Sequence, residues 1–503
     1  RHSPYYDAPL VTRAIGTLRR QVAGAEAARC PAQLSQLLLS LVNRGFANIG
    51  NPHNFAHPAH GAPRAIEDLV REVSAAIRLV CDTPWSEASG FGPLQKKAFL
   101  EAATHAHGRA ALCLSGGGAV ALYHLGLVHE LLRHGLLPSV ISGTSGGSLT
   151  AGMLAVRTDE EMIAFLETGE VDEIVASNAF IEPWKVMLRR LFTEGVCIDK
   201  DRFLATMKPL CGDLTFAEAY ARTGRLVNLS TSTPSLGSTL LLNHIVTPSV
   251  LVRSALQCSC AVPGLMRAGM LLAKRDDGAI VPFESAGVLY RDGSMQNDIP
   301  LRELASQFHA THFIVSQVNP HLLPFLDDPV LPCSVLYRLQ RYLVNHVRAR
   351  LEKYEKKDRA AGTPTYLPSE VASLLNTYTG GEEDVLIFPA PRLSDLSWRI
   401  LTMPTVTDVA VFLQRGRAMS WRHLHRIEIQ GEIERALSDA AAALATHTGA
   451  GVHGAYYTPG KSGCRGGGSD AATPRRRPRP SSDLFRVFAA PASAPTTAPT
   501  TAP

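Results

Sequence analysis

LCLSGGGAVALYHLG (residues 112–126) and ISGTSGG (residues 141–147) are the two stretches that decide how this chain folds. Each begins with an apolar run typical of a buried strand, and the sequence between the two runs is long enough for one helix and little else. This pattern predicts two neighbouring parallel strands whose carboxyl ends meet at one edge of a sheet. The glycine-rich turn after the first strand would then lie beside the serine turn after the second.

The serine turn predicts a nucleophile. Residues 143–147, GTSGG, fit the pattern G-x-S-x-G between a strand and a helix-forming run. A serine at such a sharp turn projects its hydroxyl from the sheet edge, and small neighbours allow the backbone to bend that tightly. We therefore expect Ser145 to attack a substrate at this edge.

The three consecutive glycines, Gly116, Gly117 and Gly118, are the candidate oxyanion loop. Their backbone amides would stabilise the negative oxygen of a tetrahedral intermediate, an effect of about 3 kcal/mol per donor. A phosphate-binding loop at the start of a helix is the alternative interpretation of the same glycines. That alternative leaves Ser145 without a role, and no G-K-[ST] motif follows the glycines.

A serine nucleophile needs a base, and Asp292 in the stretch LYRDGSMQNDIP is the candidate. It follows a strand-like run and precedes a glycine, which would place it at a strand end. An ordinary turn is the alternative for any Asp-Gly pair. The 18 histidines of the chain leave a triad open, but we expect His124, which is near the glycine loop in sequence, to face the core or solvent from a helix.

The wider pattern predicts an α/β fold. Apolar residues at helical spacing occupy the first hundred residues, and the runs RLVNLSTST and HFIVSQVN predict further buried strands of a parallel sheet with helices on both faces. Four parts are expected: an N-terminal helical region (1–105), a catalytic domain (106–320), a C-terminal helical extension (321–445) and a disordered basic tail (446–503).

Charge and cysteine content narrow the classes of protein. The net charge of +5 is accounted for by residues 446–503, which hold seven basic and two acidic side chains, so a nucleic-acid groove in the folded body is not expected. The nine cysteines lack zinc spacing and favour a reducing compartment without a metal site. No apolar run is long enough to span a membrane. The first residue is Arg1 rather than Met, which favours a processed or truncated start.

One further segment, residues 335–355, predicts a basic amphipathic helix. Its apolar stripe consists of Leu336, Leu339, Leu343, Val347 and Leu351. Packing against the core is the favoured interpretation, and docking on a membrane surface is the alternative.

The motifs GGG, GTSGG and DGS, in this order, resemble those of the patatin-like phospholipases and lipases. The longer stretches LSGGGAVALYHLG, GTSGGSLTAGML and DGSMQNDIP are similar to the intracellular triacylglycerol lipases of fungi and plants. The resemblance implies a patatin-like parallel-sheet sandwich preceded by a helical, lipase-associated region. It also implies that Ser145 is the nucleophile, that Asp292 is the base of a dyad without histidine, and that the three glycines form the oxyanion hole.

Two positions depart from the family pattern. Patatins usually have a basic residue and then a glycine shortly after the third glycine, and Val120 and Ala121 stand there in this chain. Ser294 replaces the Gly or Ala that many patatins have after Asp-Gly. The first departure removes a charge that could favour a phosphate headgroup, and neither changes the dyad.

The resemblance therefore implies a serine lipase that acts on neutral glycerolipid, triacylglycerol first, without a cofactor or metal. Such an enzyme would be cytoplasmic and peripheral on lipid droplets or membranes. A phospholipase, lysophospholipase or acyltransferase of the same fold is the alternative enzyme. An inactive lipid-binding scaffold is the alternative from another functional class.

Overall fold

The computed structural model describes residues 4–28, 31–56, 61–83, 91–171, 182–233, 239–284, 287–295, 297–319, 384–389 and 405–448, together with the single residues 326, 342, 346 and 350. The predicted tail lies outside these residues, except for its first three positions. Of the predicted helix 335–355, only Tyr342, His346 and Arg350 are described, and each is helical. Within the described ranges, no helix is both long enough and apolar enough to cross a membrane.

Helices precede the first strand and then accompany the strands along the described chain. The helices are α1 (Ala8–Ala28), α2 (Pro31–Leu41), α3 (Arg64–Asp82), α4 (Pro93–His107), α5 (Tyr123–Arg133), α6 (Gly146–Val156), α7 (Asp159–Glu167), α8 (Trp184–Glu194), α9 (Lys200–Cys211), α10 (Phe216–Thr223), α11 (Val252–Ser259), α12 (Leu301–Phe308) and α13 (Val406–Thr448). The strands are β1 (Arg109–Leu114), β2 (Val140–Thr144), β3 (Leu226–Ser232), β4 (Thr239–Leu242), β5 (Leu272–Lys274), β6 (Ile280–Pro282), β7 (Arg291–Asp292), β8 (Ala310–Ser316) and β9 (Val385–Ile387).

The main sheet has the strand order β4-β3-β2-β1-β8-β9, and β7 pairs with the end of β3. The strands from β3 to β9 in this order are parallel, while β4 and β7 run antiparallel to β3. The predicted α/β fold with a parallel sheet is confirmed. The predicted boundary at residue 320 cuts this sheet, because β9 comes from the segment expected to be a helical extension. Strand β9 is an apolar run of only three residues, which is too short to predict a strand from the sequence.

Both faces of the sheet are covered. Leu112 and Leu114 of β1 point into a large core that includes residues of α5, α6 and α11. Ala111 and Cys113 alternate with them and face a smaller core that includes residues of α12. A central strand buried on both faces must be apolar at every position, which explains the unbroken run that the sequence shows there.

The N-terminal helices have an apolar core of their own, formed by α1 to α4. The 43-residue helix α13 packs along both parts of the molecule. Val409 and Met419 near its start belong to the core under the sheet, whereas Ile433 and Leu437 near its end belong to the N-terminal core. Helix α13 therefore ties the N-terminal helices to the sheet.

Helices α5 and α13 touch through their backbones. A side chain at Gly126 would overlap the main chain of α13, and a side chain at Gly416 would overlap the carbonyl oxygen of Tyr123. Beside this crossing, Arg417 Nε donates to the buried Glu130 at 2.7 Å. Glycine at both positions allows an approach that other residues would prevent. Because α5 follows directly on the glycine loop, this crossing fixes the helix that carries the loop.

Candidate active site

Ser145 occupies a strained turn between β2 and α6. Its backbone angles are φ 51° and ψ −124°, a combination that costs a non-glycine residue about 1–3 kcal/mol. The residue is half-buried and occupies the N-cap position of α6, without a capping hydrogen bond from its side chain. The positive end of the helix dipole there favours negative charge on an oxygen. The local sequence thus places a hydroxyl where attack on an ester would be assisted.

Close packing explains the glycines that follow Ser145. A side chain at Gly147 would overlap the carbonyl oxygen of Leu114 at the end of β1. A side chain at Gly146 would press against the backbone of Gly118. The small residues therefore let the glycine loop lie directly against the start of α6, as the spacing of the two motifs predicts.

The register of the sheet brings Asp292 to Ser145. Strand β2 ends at Thr144, which pairs with Ser230 of β3. The next residue of β3, Thr231, pairs with Asp292 of β7 instead. The chain leaves the sheet at Ser145, and β7 fills the vacated place beside β3. Asp292 therefore lies beside β3 at the position where β2 would have continued, next to Ser145.

The Asp292 carboxyl group has no solvent exposure. This burial raises its pKa from 3.8 to about 6, while the nearby Ser145 hydroxyl and hydrogen bonds from Ser294 oppose the rise. The Ser294 backbone N–H donates to Oδ1 at 2.7 Å. Within the described residues, Oδ2 has no partner at full hydrogen-bond geometry. The contact with Ser145 is therefore looser than a formed hydrogen bond, a looseness that catalytic pairs commonly show before substrate binds.

Side chains from other elements hold the strained backbone of Ser145. Its N–H donates to Ser259 Oγ at 3.1 Å. Its carbonyl oxygen accepts from Ser148 Oγ at 2.5 Å and from Cys260 Sγ at 3.3 Å. These contacts satisfy both polar groups of the turn, so the strain is offset where it arises.

The glycine loop lies beside Ser145, but its three amides differ. The Gly116 N–H donates to Asp298 Oδ1 at 2.9 Å and is therefore occupied. Gly117, with φ 151°, and Gly118, with φ 61°, adopt conformations that suit glycine. Their amides have no acceptor in the part of the chain that the structure describes. Of the three predicted oxyanion donors, Gly117 and Gly118 are thus the ones left available.

Asp298 is a second buried carboxylate at this edge. Besides Gly116, it accepts a hydrogen bond from Asn319 Nδ2 at 2.6 Å, and its carbonyl oxygen accepts from Thr144 Oγ1 at 2.7 Å. Burial and the nearby charge of Asp292 raise its pKa to about 7, against the hydrogen bond from Gly116. Asp298 therefore links the glycine loop, the end of β2 and the segment after β8.

The histidine near the glycine loop belongs to the core, as predicted. His124 is fully buried, with Nδ1 2.8 Å from Ser316 Oγ and Nε2 3.0 Å from the carbonyl oxygen of Ser115. Burial lowers its pKa to about 4. In the described part of the chain, no histidine is hydrogen-bonded to Ser145 or Asp292.

The sequence predicts Ser145, Asp292 and the glycines at one sheet edge, and the structure brings them together. The sequence does not single out Asp298, although this residue is within the quoted stretch DGSMQNDIP. The sequence around Asp298, which precedes Ile-Pro, does not indicate that its carboxylate is buried. A serine at a strained turn, beside a buried carboxylate and free amides, is an arrangement typical of α/β enzymes that use a serine nucleophile.

Comparison with known proteins agrees with this arrangement. A family model described as patatin-like phospholipase matches residues 112–305, and a model described as a domain of unknown function, DUF3336, matches residues 1–105. A patatin-like phospholipase domain-containing protein of Coccidioides immitis is 32% identical over 455 residues, covering 86% of this chain and 60% of the relative. A protein of the same description from Aspergillus niger is 34% identical over 420 residues, covering 80% of this chain and 54% of the relative.

This chain therefore contains a patatin-like phospholipase domain, which the family model matches at residues 112–305. It spans only about half to six-tenths of the length of these relatives. Among solved structures, VipD from Legionella pneumophila is 14% identical, with a TM-score of 0.28, covering 68% of this chain and 76% of that chain. That likeness is too low to carry an argument.

Proposed function

We propose that this protein is a serine lipase that hydrolyses triacylglycerol to diacylglycerol and free fatty acid. The observation that carries the proposal is the contact of Ser145, at a strained turn, with the fully buried Asp292. The free amides of Gly117 and Gly118 lie in the loop beside this pair. A nucleophile, a base and oxyanion donors are the parts that acyl transfer requires.

In the first half of the reaction, Ser145 Oγ attacks the ester carbonyl carbon and Asp292 takes its proton. The negative oxygen of the tetrahedral intermediate accepts hydrogen bonds from the amides of Gly117 and Gly118. Collapse of the intermediate breaks the bond between carbon and the glycerol oxygen. Asp292 returns the proton to that oxygen, so diacylglycerol leaves and the acyl group stays on Ser145.

In the second half, water attacks the acyl-enzyme and Asp292 takes a proton from it. The second tetrahedral intermediate uses the same amides. Its collapse frees the fatty acid and returns the proton to Ser145 Oγ. An ordinary carboxylate is a weak base, but the pKa of about 6 that burial gives Asp292 moves it toward the range useful for this work.

The absence of a basic residue just after the glycine loop supports a neutral substrate. Val120 and Ala121 are each only 4% exposed and stand where related enzymes usually have a basic residue and a glycine. A phosphate headgroup would find no cation at these two positions. Hydrolysis of neutral glycerolipid would take place at a lipid droplet or membrane surface, with the enzyme as a peripheral cytoplasmic protein.

A phospholipase is the second candidate function, since the relatives named above are described as patatin-like phospholipase domain-containing proteins. Lysophospholipase or acyltransferase activity belongs to the same alternative. An inactive scaffold would keep the fold but leave the strained Ser145 turn and the buried Asp292 without purpose.

The test is a substrate panel of emulsified triacylglycerol, diacylglycerol and phosphatidylcholine, run with the wild type and with Ser145→Ala. We expect triacylglycerol to be cleaved fastest by the wild type and not at all by the variant. A fluorophosphonate probe should label only the wild type. Faster cleavage of phosphatidylcholine would replace the lipase with the phospholipase, and unlabelled wild type without turnover would favour the scaffold.

A further inference from the structure

Helix α8 holds an apolar stripe in solvent. Trp184, Leu188 and Phe192 are four residues apart and are 59%, 43% and 82% exposed. Leu191 beside them is also exposed. Residues at this spacing share one helix face. Large apolar side chains gathered on one exposed face indicate a surface that binds something.

The flank of the helix next to the stripe is the one that packs on the protein. Met187 is buried, and Arg190 pairs with Glu182 and donates to the carbonyl oxygen of Cys197. The packing side is thus already satisfied.

Two cations border the stripe. Lys185 and Arg189 are exposed, and the Lys185 ammonium lies 5.9 Å from the ring centre of Trp184. Neither side chain has an acidic partner among the described residues. A short helix with an aromatic and leucine face and basic borders has the pattern of helices that lie in a membrane interface. We call these residues, with Leu188, Leu191 and Phe192, the α8 surface.

The end of α8 is connected to the candidate active site. Arg267 donates to the carbonyl oxygen of Glu194, the last residue of α8. Two residues on, Gly269 exchanges hydrogen bonds with Tyr290 at 3.0 and 2.8 Å. Tyr290 is two residues before Asp292. The last residue of α8 is therefore linked through these hydrogen bonds to the segment that carries Asp292.

We propose that the α8 surface docks on a lipid surface that carries anionic headgroups, an inference whose purpose rests on the proposed lipase function. Tryptophan and phenylalanine enter the apolar boundary, while Lys185 and Arg189 meet the headgroups. A second copy of the chain is disfavoured as the partner, because self-pairing would bring the same cations together. The stripe of one short helix is also small against the roughly 1,200 Å² that a stable protein interface buries.

The test uses the full chain carrying Ser145→Ala, so that lipid is bound and not consumed. Flotation with vesicles of phosphatidylcholine and phosphatidylglycerol is compared with vesicles of phosphatidylcholine alone. We expect the triple variant Trp184→Asp, Leu188→Asp and Phe192→Asp to bind both kinds about tenfold more weakly or worse. The double variant Lys185→Glu and Arg189→Glu should lose several-fold on the anionic vesicles alone.

Leu94→Asp is the matched control, since this leucine of α4 is 76% exposed and far from α8 in sequence. It should bind like the parent. Unchanged vesicle binding by the triple variant would overturn the proposal. So would a dimer of the parent in gel filtration that the triple variant converts to a monomer, because α8 would then be a contact between copies.

Hydrolysis of a soluble short-chain ester by the same variants on the active Ser145 background separates this proposal from the proposed function. The α8 variants should keep the wild-type rate on the ester, because they leave the site intact. A wild type that fails to cleave the ester refutes the lipase, while the vesicle result still decides the role of α8.

Discussion

Asp292 and Asp298 are six residues apart at the same sheet edge, and burial raises the pKa of both, to about 6 and about 7. Their hydrogen bonds differ. Both carboxylate oxygens of Asp298 accept bonds, from Gly116 and Asn319, whereas Oδ2 of Asp292 has no partner at full geometry among the described residues. A carboxylate engaged on both oxygens fixes geometry. A carboxylate with an oxygen to spare beside a serine can accept a proton.

The largest expected effect is at Asp292. Asp292→Asn keeps the shape of the side chain but removes the proton acceptor, so turnover should fall by about 10³-fold or more, close to the loss in Ser145→Ala. Initial rates on emulsified triacylglycerol and on a short-chain ester measure the loss. A near-normal rate for Asp292→Asn would show that Asp292 is not the proton acceptor that distinguishes it from Asp298.

The same substitution should stabilise the fold. Because the folded-state pKa of Asp292 is raised from 3.8 to about 6, its ionisation costs stability, and the wild type loses that part of its stability as the pH rises through this range. Asp292→Asn removes this loss, so its free energy of unfolding at pH 8 should exceed that of the wild type by about 3 kcal/mol. Denaturant unfolding of both proteins at pH 4 and pH 8 tests the sign. An equal difference at both values would exclude the buried charge as the cause.

Asp298 should show an intermediate effect that depends on the replacement. Asp298→Ala removes the acceptor for the Gly116 N–H and should lower kcat by about 10²-fold, as loss of an oxyanion contact does. Asp298→Asn retains an acceptor oxygen and should recover most of that rate. It should leave the acid limb of the pH profile near pH 6, because Asp298, with a pKa of about 7, is mainly protonated while Asp292 ionises. Equal rates for the two variants would remove the positioning role.

The smallest expected effect concerns Ser294. The rate should rise as the pH passes about 6, because Asp292 accepts a proton only when ionised. Ser294→Ala removes a side-chain hydrogen bond that lowers this pKa, so the midpoint should move up by a fraction of a pH unit. Ser232→Ala is the control, since its hydroxyl bonds only the main-chain oxygen of Asp292. A shift of the same size in both variants would mean that general loosening, and not the carboxylate, is responsible.

The region between residues 109 and 156 could be predicted from short stretches of sequence. The strand, glycine turn, helix and serine turn between residues 109 and 156 follow from periodicity and from glycine spacing. The meeting of Ser145 with Asp292 depends on the register of β3 with both β2 and β7, a long-range pairing that no window contains. The local pattern that predicts Asp292 as the base is an Asp-Gly pair after a strand-like run.

Three other features could not be predicted, because they depend on long-range packing that the local sequence does not indicate. The bond from Gly116 to Asp298 joins residues 182 positions apart, so the occupied amide could not be distinguished from its two neighbours. Strand β9 is three residues long and is set by its partner β8. The exposed stripe of α8 has the composition of a core helix, and only its orientation in the fold separates the two interpretations.

The glycine crossing of α5 and α13 also joins two helices that the ribosome makes at widely separated times. Helix α13 begins 273 residues after α5 ends, so at roughly 5–20 residues per second a ribosome needs about 14–55 seconds to pass from one to the other. For most of that interval the serine turn at residue 145 has been synthesised, but the helix that packs on both cores has not. The surface of α5 at Gly126 therefore stays exposed to chaperones or to wrong partners until α13 has been synthesised.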